Sequence, residues 1–301
     1  MSQFYFVLTN PEVESLLKLE IGMKYPDFRM SYSRPGFLTF KGNDESDFRP
    51  RMARLSGKCL GKLKLDEINY EKAWVWKRDP KFEIPERLQK LSDQTLFKRG
   101  ELVTLVMMVG PEEYWIGQYK LRADHFQTPG EVSSIIVKDV PSRAYFKIAE
   151  AYESFDLPFE NEERVLELGS APGGASLFLL EQDLKVLGVD PANMDPTITK
   201  HFNFKHLRLP FEHIHAEDFK EDVDWIISDV NLPPTVVMKE VERFLDFLEP
   251  RGLVLTLKIN QDRYLKMLDV FADNLRRRGF KRVEFKYLPS HRQEIALIGL
   301  R

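Results

Sequence analysis

The rhythm of apolar and polar positions changes near residue 130. From Pro141 onward, short apolar runs alternate with longer segments whose apolar residues recur at helical spacing. This predicts strands at 165–168, 185–189, 205–208 or 213–216, 223–228, 252–257, 281–287 and 293–299. Helices are predicted at 142–154, 173–182, 235–248 and 261–278. Such alternation argues an α/β unit with a doubly wound, mostly parallel sheet. No helix fits between the last two strands, so they should form an antiparallel hairpin.

Residues 1–130 read differently. Phe4 to Leu8 is a strand candidate. Asn10-Pro11 opens a helix to about Lys24, with Leu16, Leu17, Leu19 and Ile21 on or near its apolar side. Phe37 to Phe40 follows the Arg34-Pro35-Gly36 turn, and Leu102–Val109 and Tyr114–Tyr119 flank Gly110-Pro111. This is a small α+β domain. The expected division is therefore 1–130 and 131–301, with a junction at 131–140.

Composition narrows the class. A chain of 301 residues has room for two domains, and 43% hydrophobic with 30% charged residues is ordinary for a soluble globular protein. The net charge of −3 gives no overall attraction to nucleic acid, so any such binding rests on local patches. A lone Cys59 excludes an intramolecular disulfide and a cysteine zinc site. No basic leader opens the chain and no apolar run approaches a membrane span. The expectation is a cytoplasmic protein with neither membrane nor metal as partner; oligomeric state is not readable.

One basic stretch stands out. Residues 48–65 carry Arg49, Arg51, Arg54, Lys58, Lys62 and Lys64 with no acid, and Trp74, Trp76, Lys77 and Arg78 follow. Cations near aromatics suit phosphates and bases of a splayed RNA strand. A plain solvated face reads equally well. A second cluster, Arg276, Arg277, Arg278, Lys281 and Arg282, is better read as compensation at a helix C-terminus.

The most chemical stretch is VLELGSAPGGASLFLLEQDLKVLGVD at 165–190. It reads as strand, glycine loop, helix and strand closed by Asp190. Gly169, Gly173 and Gly174 permit a sharp turn and close approach of a ligand. Asp190 stands where such sheets place a carboxylate for ribose hydroxyls. The loop is neither GxGxxG nor GxxxxGK[ST], so dinucleotide and P-loop readings fail. A tight loop with a downstream acid fits S-adenosylmethionine, which has no phosphates to cradle.

Ligands bind outside the carboxyl ends of parallel strands. Three predicted strand ends carry polar residues: Asp190, Asp229 in DWIISD and Lys258 in LVLTLK. A lysine closing a buried strand needs a partner or a task, unless it snorkels to solvent. Lys147 and Glu294, taken alone, read as surface charges.

PSRAYFKIAEA, VLELGSAPGGAS, DWIISDV, LVLTLK and RQEIALI, in that order, resemble the FtsJ-like ribose 2′-O-methyltransferases over residues 135–301. The resemblance implies a Rossmann-like class I methyltransferase with a seven-stranded sheet and S-adenosylmethionine as cofactor. It implies a catalytic set of Lys147, Asp229, Lys258 and Glu294. A ribose hydroxyl is a weak nucleophile that must be positioned and deprotonated. Lys258 would orient the hydroxyl and, if neutral, accept its proton, with Lys147 depressing its pKa and the carboxylates holding the ammonium groups; a true base and an electrostatic positioner both fit the sequence. Cofactor contacts would come from Ser142, Gly169, Ser170, Ala171, Pro172, Gly173, Gly174, Ala175, Asp190, Asp229 and Asp218, the last at the adenine amine. The family usually has Trp where this chain has Ala175. The resemblance further implies RNA, 23S ribosomal RNA in particular, as substrate, and a THUMP-type RNA-binding module at residues 1–130.

Two other readings compete. Asn231-Leu232-Pro233-Pro234 is similar to the [ND]PP[YF] loop of amino-group methyltransferases, but Leu232 interrupts it and Thr235 replaces the aromatic. A catalytically silent RNA-binding or ribosome-assembly protein on the same fold is the other.

Overall fold

The computed structural model describes residues 3–43, 48–122 and 139–301. The chain divides into two compact units, Met1–Ser133 and Ser134–Arg301. The expected junction at 131–140 lies, as far as residue 138, outside the described residues.

The first unit holds strands β1 (Gln3–Leu8), β2 (Arg29–Arg34), β3 (Phe37–Gly42), β4 (Leu55–Leu63), β5 (Trp74–Lys77), β6 (Leu102–Gly110) and β7 (Glu113–Lys120). Its helices are α1 (Glu14–Lys24) and α2 (Glu86–Asp93). The strands form one sheet in the order β2-β3-β1-β4-β7-β6-β5, antiparallel except for β5 on β6. The Asn10 side chain accepts the Glu12 N–H and Pro11 starts the turn leading into α1. Leu16, Leu17 and Ile21 are buried, but Leu19 is only half-buried. Buried Glu20 instead accepts the Arg51 and Met52 N–H groups, both at 2.9 Å. The apolar run of β6 serves two cores: Val103, Leu105 and Met107 face one, Val106 and Met108 the other.

Within the basic stretch, Leu55–Leu63 form β4, which the sequence pattern did not predict. A bulge between Cys59 and Gly61, where Gly61 has φ +123°, splits it. Lys58 stands opposite Gln118 and Lys62 opposite Trp115, three residues apart on β7 and so on opposite faces. Lys62 pairs with Glu113 at 3.2 Å. Trp74 is in the core, its indole N–H on the Thr95 carbonyl. The cations and aromatics of this stretch therefore do not share one face.

The second unit holds α3 (Ala144–Phe155), β8 (Arg164–Leu168), α4 (Gly174–Glu181), β9 (Lys185–Val189), α5 (Pro196–Thr199) and β10 (Phe204–Leu207). Then come β11 (Trp225–Ser228), α6 (Pro234–Phe244), β12 (Gly252–Lys258), α7 (Asp262–Arg277), β13 (Arg282–Lys286) and β14 (Glu294–Leu300). The sheet order is β10-β9-β8-β11-β12-β14-β13. The first five strands are parallel; β14 runs antiparallel between β12 and β13. Of the two places expected for the third strand, 204–207 forms it, while 213–216 falls among short 3-10 turns. Tyr145, Phe178 and Leu179 of α3 and α4 pack with Trp225, Val254 and Ile298 of the sheet. The chain runs outward from β8 to β10 and returns to β11, so the switch point lies between β8 and β11. Among the described residues no helix is long and apolar enough to cross a membrane.

Candidate active site

The glycine loop leaves β8 at that switch point. Gly169 (φ +76°) and Gly173 (φ +119°) hold left-handed conformations that other residues resist. The space beside each glycine is taken by the protein itself. A Cβ on Gly169 would come within 2.4 Å of Val230 Cγ1, one on Gly173 within 2.7 Å of Ile198 Cγ1, and one on Gly174 within 2.2 Å of Ser142 Oγ. The glycines thus serve turns and internal packing. Ser142 is half-buried against the start of α4. Ser170 is buried, its hydroxyl on Met194 Sδ at 3.4 Å. Pro172 is exposed, Ala171 half-buried and Ala175 buried.

Asp190 follows β9 at the same edge. Its carboxylate accepts the Ala171 N–H at 3.2 Å and the Ala192 N–H at 2.8 Å. It therefore ties the glycine loop to β9, and each oxygen keeps a lone pair for a ribose hydroxyl. The N-terminus of α4 has no side-chain cap, leaving backbone N–H groups for an anionic group such as an amino-acid carboxylate. This donor and acceptor set fits S-adenosylmethionine.

Asp229 follows β11, Lys258 closes β12 and Glu294 opens β14. Because β14 runs antiparallel, its first residue lies at the carboxyl edge of β12, with Lys258 and Glu294 in register. Lys147 reaches the same point from α3. Its Nζ lies 2.9 and 3.0 Å from the two Asp229 oxygens and 2.9 Å from Glu294 Oε2. Lys258 Nζ donates to Glu294 Oε1. The four side chains form one row of alternating charge: Asp229, Lys147, Glu294, Lys258. The Lys258 side chain is the most open of them at 24% exposure, against 11% for Lys147 and Glu294. Residues spread over much of the sequence are thus one hydrogen-bonded cluster.

Burial alone would push the Glu294 carboxyl up, but hydrogen bonds from Lys258 and Lys147 outweigh it and hold it at about 2. Burial likewise disfavours the Lys147 ammonium, yet Asp229 and Glu294 more than compensate and raise its pKa. The Asp229 carboxyl is raised by burial despite Lys147.

Asp218 is elsewhere. Exposed, it accepts the His215 N–H at 2.8 Å and closes its own short turn. It lines a cavity of about 430 Å³ with Arg164 and Lys185. Those residues begin β8 and β9, at the end of the sheet opposite Gly169, Asp190 and Asp229. The structure does not bring Asp218 to the expected adenine contact: ten residues separate it from β10, and the chain crosses toward the start of β11 before reaching it. The Asn231–Pro234 segment has a local explanation, since Pro233 and Pro234 start α6.

Sequence reasoning missed Glu167. It is 3% exposed in β8, and Ser176 Oγ donates to its Oε2 at 2.5 Å. Burial, reinforced by Asp229 and Asp190, pushes its pKa to about 8 against the pull of Ser176. An acid two positions before the first glycine of an otherwise apolar strand was the available signal. Among the described residues no group of His, Cys, Asp or Glu could hold a metal ion.

A model of the FtsJ-like methyltransferase family matches residues 140–293, so the chain belongs to that family, whose methyl donor is S-adenosylmethionine. Glu294 lies one position beyond the match. The ribosomal RNA large subunit methyltransferase M of Idiomarina loihiensis is 27% identical, over 72% of this chain and 62% of its own length. Its namesake in Halorhodospira halophila is 27% identical over 64% of this chain and 53% of its own. An uncharacterized protein of Methanocaldococcus jannaschii is 28% identical over 44% of this chain and 40% of its own. The chain therefore spans less than two thirds of the length of these relatives.

Proposed function

We propose that the chain is an S-adenosylmethionine-dependent ribose 2′-O-methyltransferase acting on RNA, with 23S ribosomal RNA as substrate. The observation that carries this reading is the single row formed by Asp229, Lys147, Glu294 and Lys258 beside the glycine loop. The large-subunit ribosomal RNA relatives support the substrate.

The cofactor supplies an electrophilic methyl on a positively charged sulfur. Lys258, the most open member, holds the 2′-oxygen by a hydrogen bond and in its neutral form accepts its proton. The 2′-oxygen so held would take up the methyl group that the cofactor supplies. Glu294 steadies the Lys258 ammonium that results, while Lys147, held between Asp229 and Glu294, keeps both carboxylates charged and in place. Asp190 and the α4 N-terminus hold the cofactor. Residues 1–130 would bind the RNA, with exposed Arg49, Lys58 and Lys64 among the cations facing solvent.

The test is to map 2′-O-methylation of 23S ribosomal RNA in cells with and without the gene, and after its replacement by Lys258→Ala. One modified position should disappear in both cases, and purified Lys258→Ala should lose about a hundredfold or more in rate. No missing methyl group would overturn the substrate, and a near-normal Lys258→Ala rate would overturn the lysine-centred mechanism.

A further inference from the structure

The ion pair between Lys147 and Glu294 joins two elements that do not adjoin in sequence. What brings them to 2.9 Å is visible one helical turn away. Glu150, on α3 and 1% exposed, accepts the Ser290 N–H at 2.9 Å. Arg143, just before α3, donates to the Ser290 carbonyl at 2.9 Å. Both backbone groups of one residue are thus tied to the Lys147 helix. Ser290 belongs to the loop that leads into β14, and that loop is braced internally. The Tyr287 hydroxyl donates to the carbonyls of His291 and Arg292, at 2.8 and 2.7 Å, and the Leu288 N–H donates to His291 Nδ1 at 3.3 Å. Its last residue is fixed from the other side: the Ile259 N–H, next to Lys258, donates to the Gln293 carbonyl at 2.7 Å.

Glu150 therefore sits where α3, the loop and β14 are brought to a common register. An acid buried on the core side of a helix is costly unless it accepts hydrogen bonds. Here the acceptor meets a backbone donor four residues before Glu294. We propose that Glu150 is a positioning residue that sets the height of α3 against the loop before β14, so that Lys147 meets Asp229 and Glu294 together. This rests on the reading of those three residues as part of the catalytic set.

The experiment uses the full chain, S-adenosylmethionine and 23S ribosomal RNA from cells lacking the gene. Glu150→Met keeps the volume and removes the acceptor; Glu150→Gln keeps an acceptor for Ser290. Glu150→Met should lower kcat about tenfold while cofactor affinity stays within about twofold, and Glu150→Gln should stay within about threefold of wild type. In a Glu294→Gln background, where the pair is already broken, Glu150→Met should cost less than about twofold further. An equal loss in both backgrounds, or a Glu150→Met enzyme at the wild-type rate, would overturn the positioning role. Should Glu150→Met melt below assay temperature, Arg143→Met removes the other tie to Ser290 and must show the same dependence on Glu294. Lys147→Ala separates the two levels. If it retains the normal rate, the catalytic reading fails and the positioning role with it. If it is inactive while Glu150→Met is normal, the positioning role alone fails.

Discussion

At the scale of single residues, the site is governed by which carboxyl groups are paired with cations and which are merely buried. Glu294 is held at about 2 instead of 4.5, whereas Glu167, buried and repelled by Asp229 and Asp190, is pushed to about 8. The two carboxyls should leave opposite marks on stability. A carboxyl depressed in the folded state stabilises above its unfolded value and loses that contribution as pH falls through its folded one. Glu294 should thus contribute about 3 kcal/mol at neutral pH, lost between about pH 4.5 and 2. Asp229, raised by burial and by the Glu294 charge, acts with the opposite sign, so the comparison of wild type with Glu294→Gln reports the removal of Glu294 together with the relief it gives Asp229. Urea unfolding across that range should show a steeper acid loss for wild type; parallel curves would refute the pairing. Glu167 binds its proton more tightly when folded, so wild type should lose stability as pH rises from about 4.5 toward 8. Glu167→Gln should remove that slope: it should cost about 1 kcal/mol or less below about pH 4.5, because Ser176 keeps its acceptor, and should be the more stable of the two at pH 7.

At the scale of elements, the contact between α3 and α4 decides whether Lys147 reaches the sheet. It depends on Gly174, where a Cβ would stand 2.2 Å from Ser142 Oγ and 2.6 Å from the Ser142 carbonyl oxygen. Gly174→Ala should push the start of α3 away at a cost of about 1–3 kcal/mol. A lower melting temperature with weakened cofactor binding is the expected result, and an unchanged melting curve would show that the helices have room to part. Much of this architecture was legible because buried parallel strands are short apolar runs and the helices between them show one apolar face. That is why β8, β9, β11, β12 and the final hairpin fall where the pattern puts them. Of the strands missed, β5 is a largely apolar run of only four residues, and β2 and β4 lack such a signal. In β2, RMSYSR lies at a sheet edge and most of its side chains stay exposed. In β4, charges and glycines obscure the alternation, and the Gly61 bulge shifts its phase. Asp218 was misplaced for a related reason: a family pattern fixes the order of residues, but the length of the loop between β10 and β11 decides which end of the sheet an acid reaches.

At the scale of the whole molecule, each unit has a core of its own. Phe6, Phe37, Leu105 and Met107 centre one, Tyr145, Leu179, Trp225 and Val254 the other. All residues of the charged row and the glycine loop belong to the second unit. Chemistry and RNA grip should therefore separate physically. Residues 134–301 expressed alone should unfold cooperatively and bind S-adenosylmethionine within severalfold of the full chain, because no cofactor contact proposed here lies outside them. Their affinity for 23S ribosomal RNA should drop, and so should the slope of log affinity against log salt, which counts the phosphates met by lysine and arginine. The bulge in β4 sharpens that expectation. With Lys58 and Lys62 on opposite faces and Lys62 engaged by Glu113, only part of the basic stretch can meet one RNA strand. The salt slope lost with the first unit should therefore correspond to fewer contacts than the six cations between Arg49 and Lys64. A truncated chain with undiminished RNA affinity and salt slope would place the whole RNA surface on the methyltransferase unit and leave the first unit without that role.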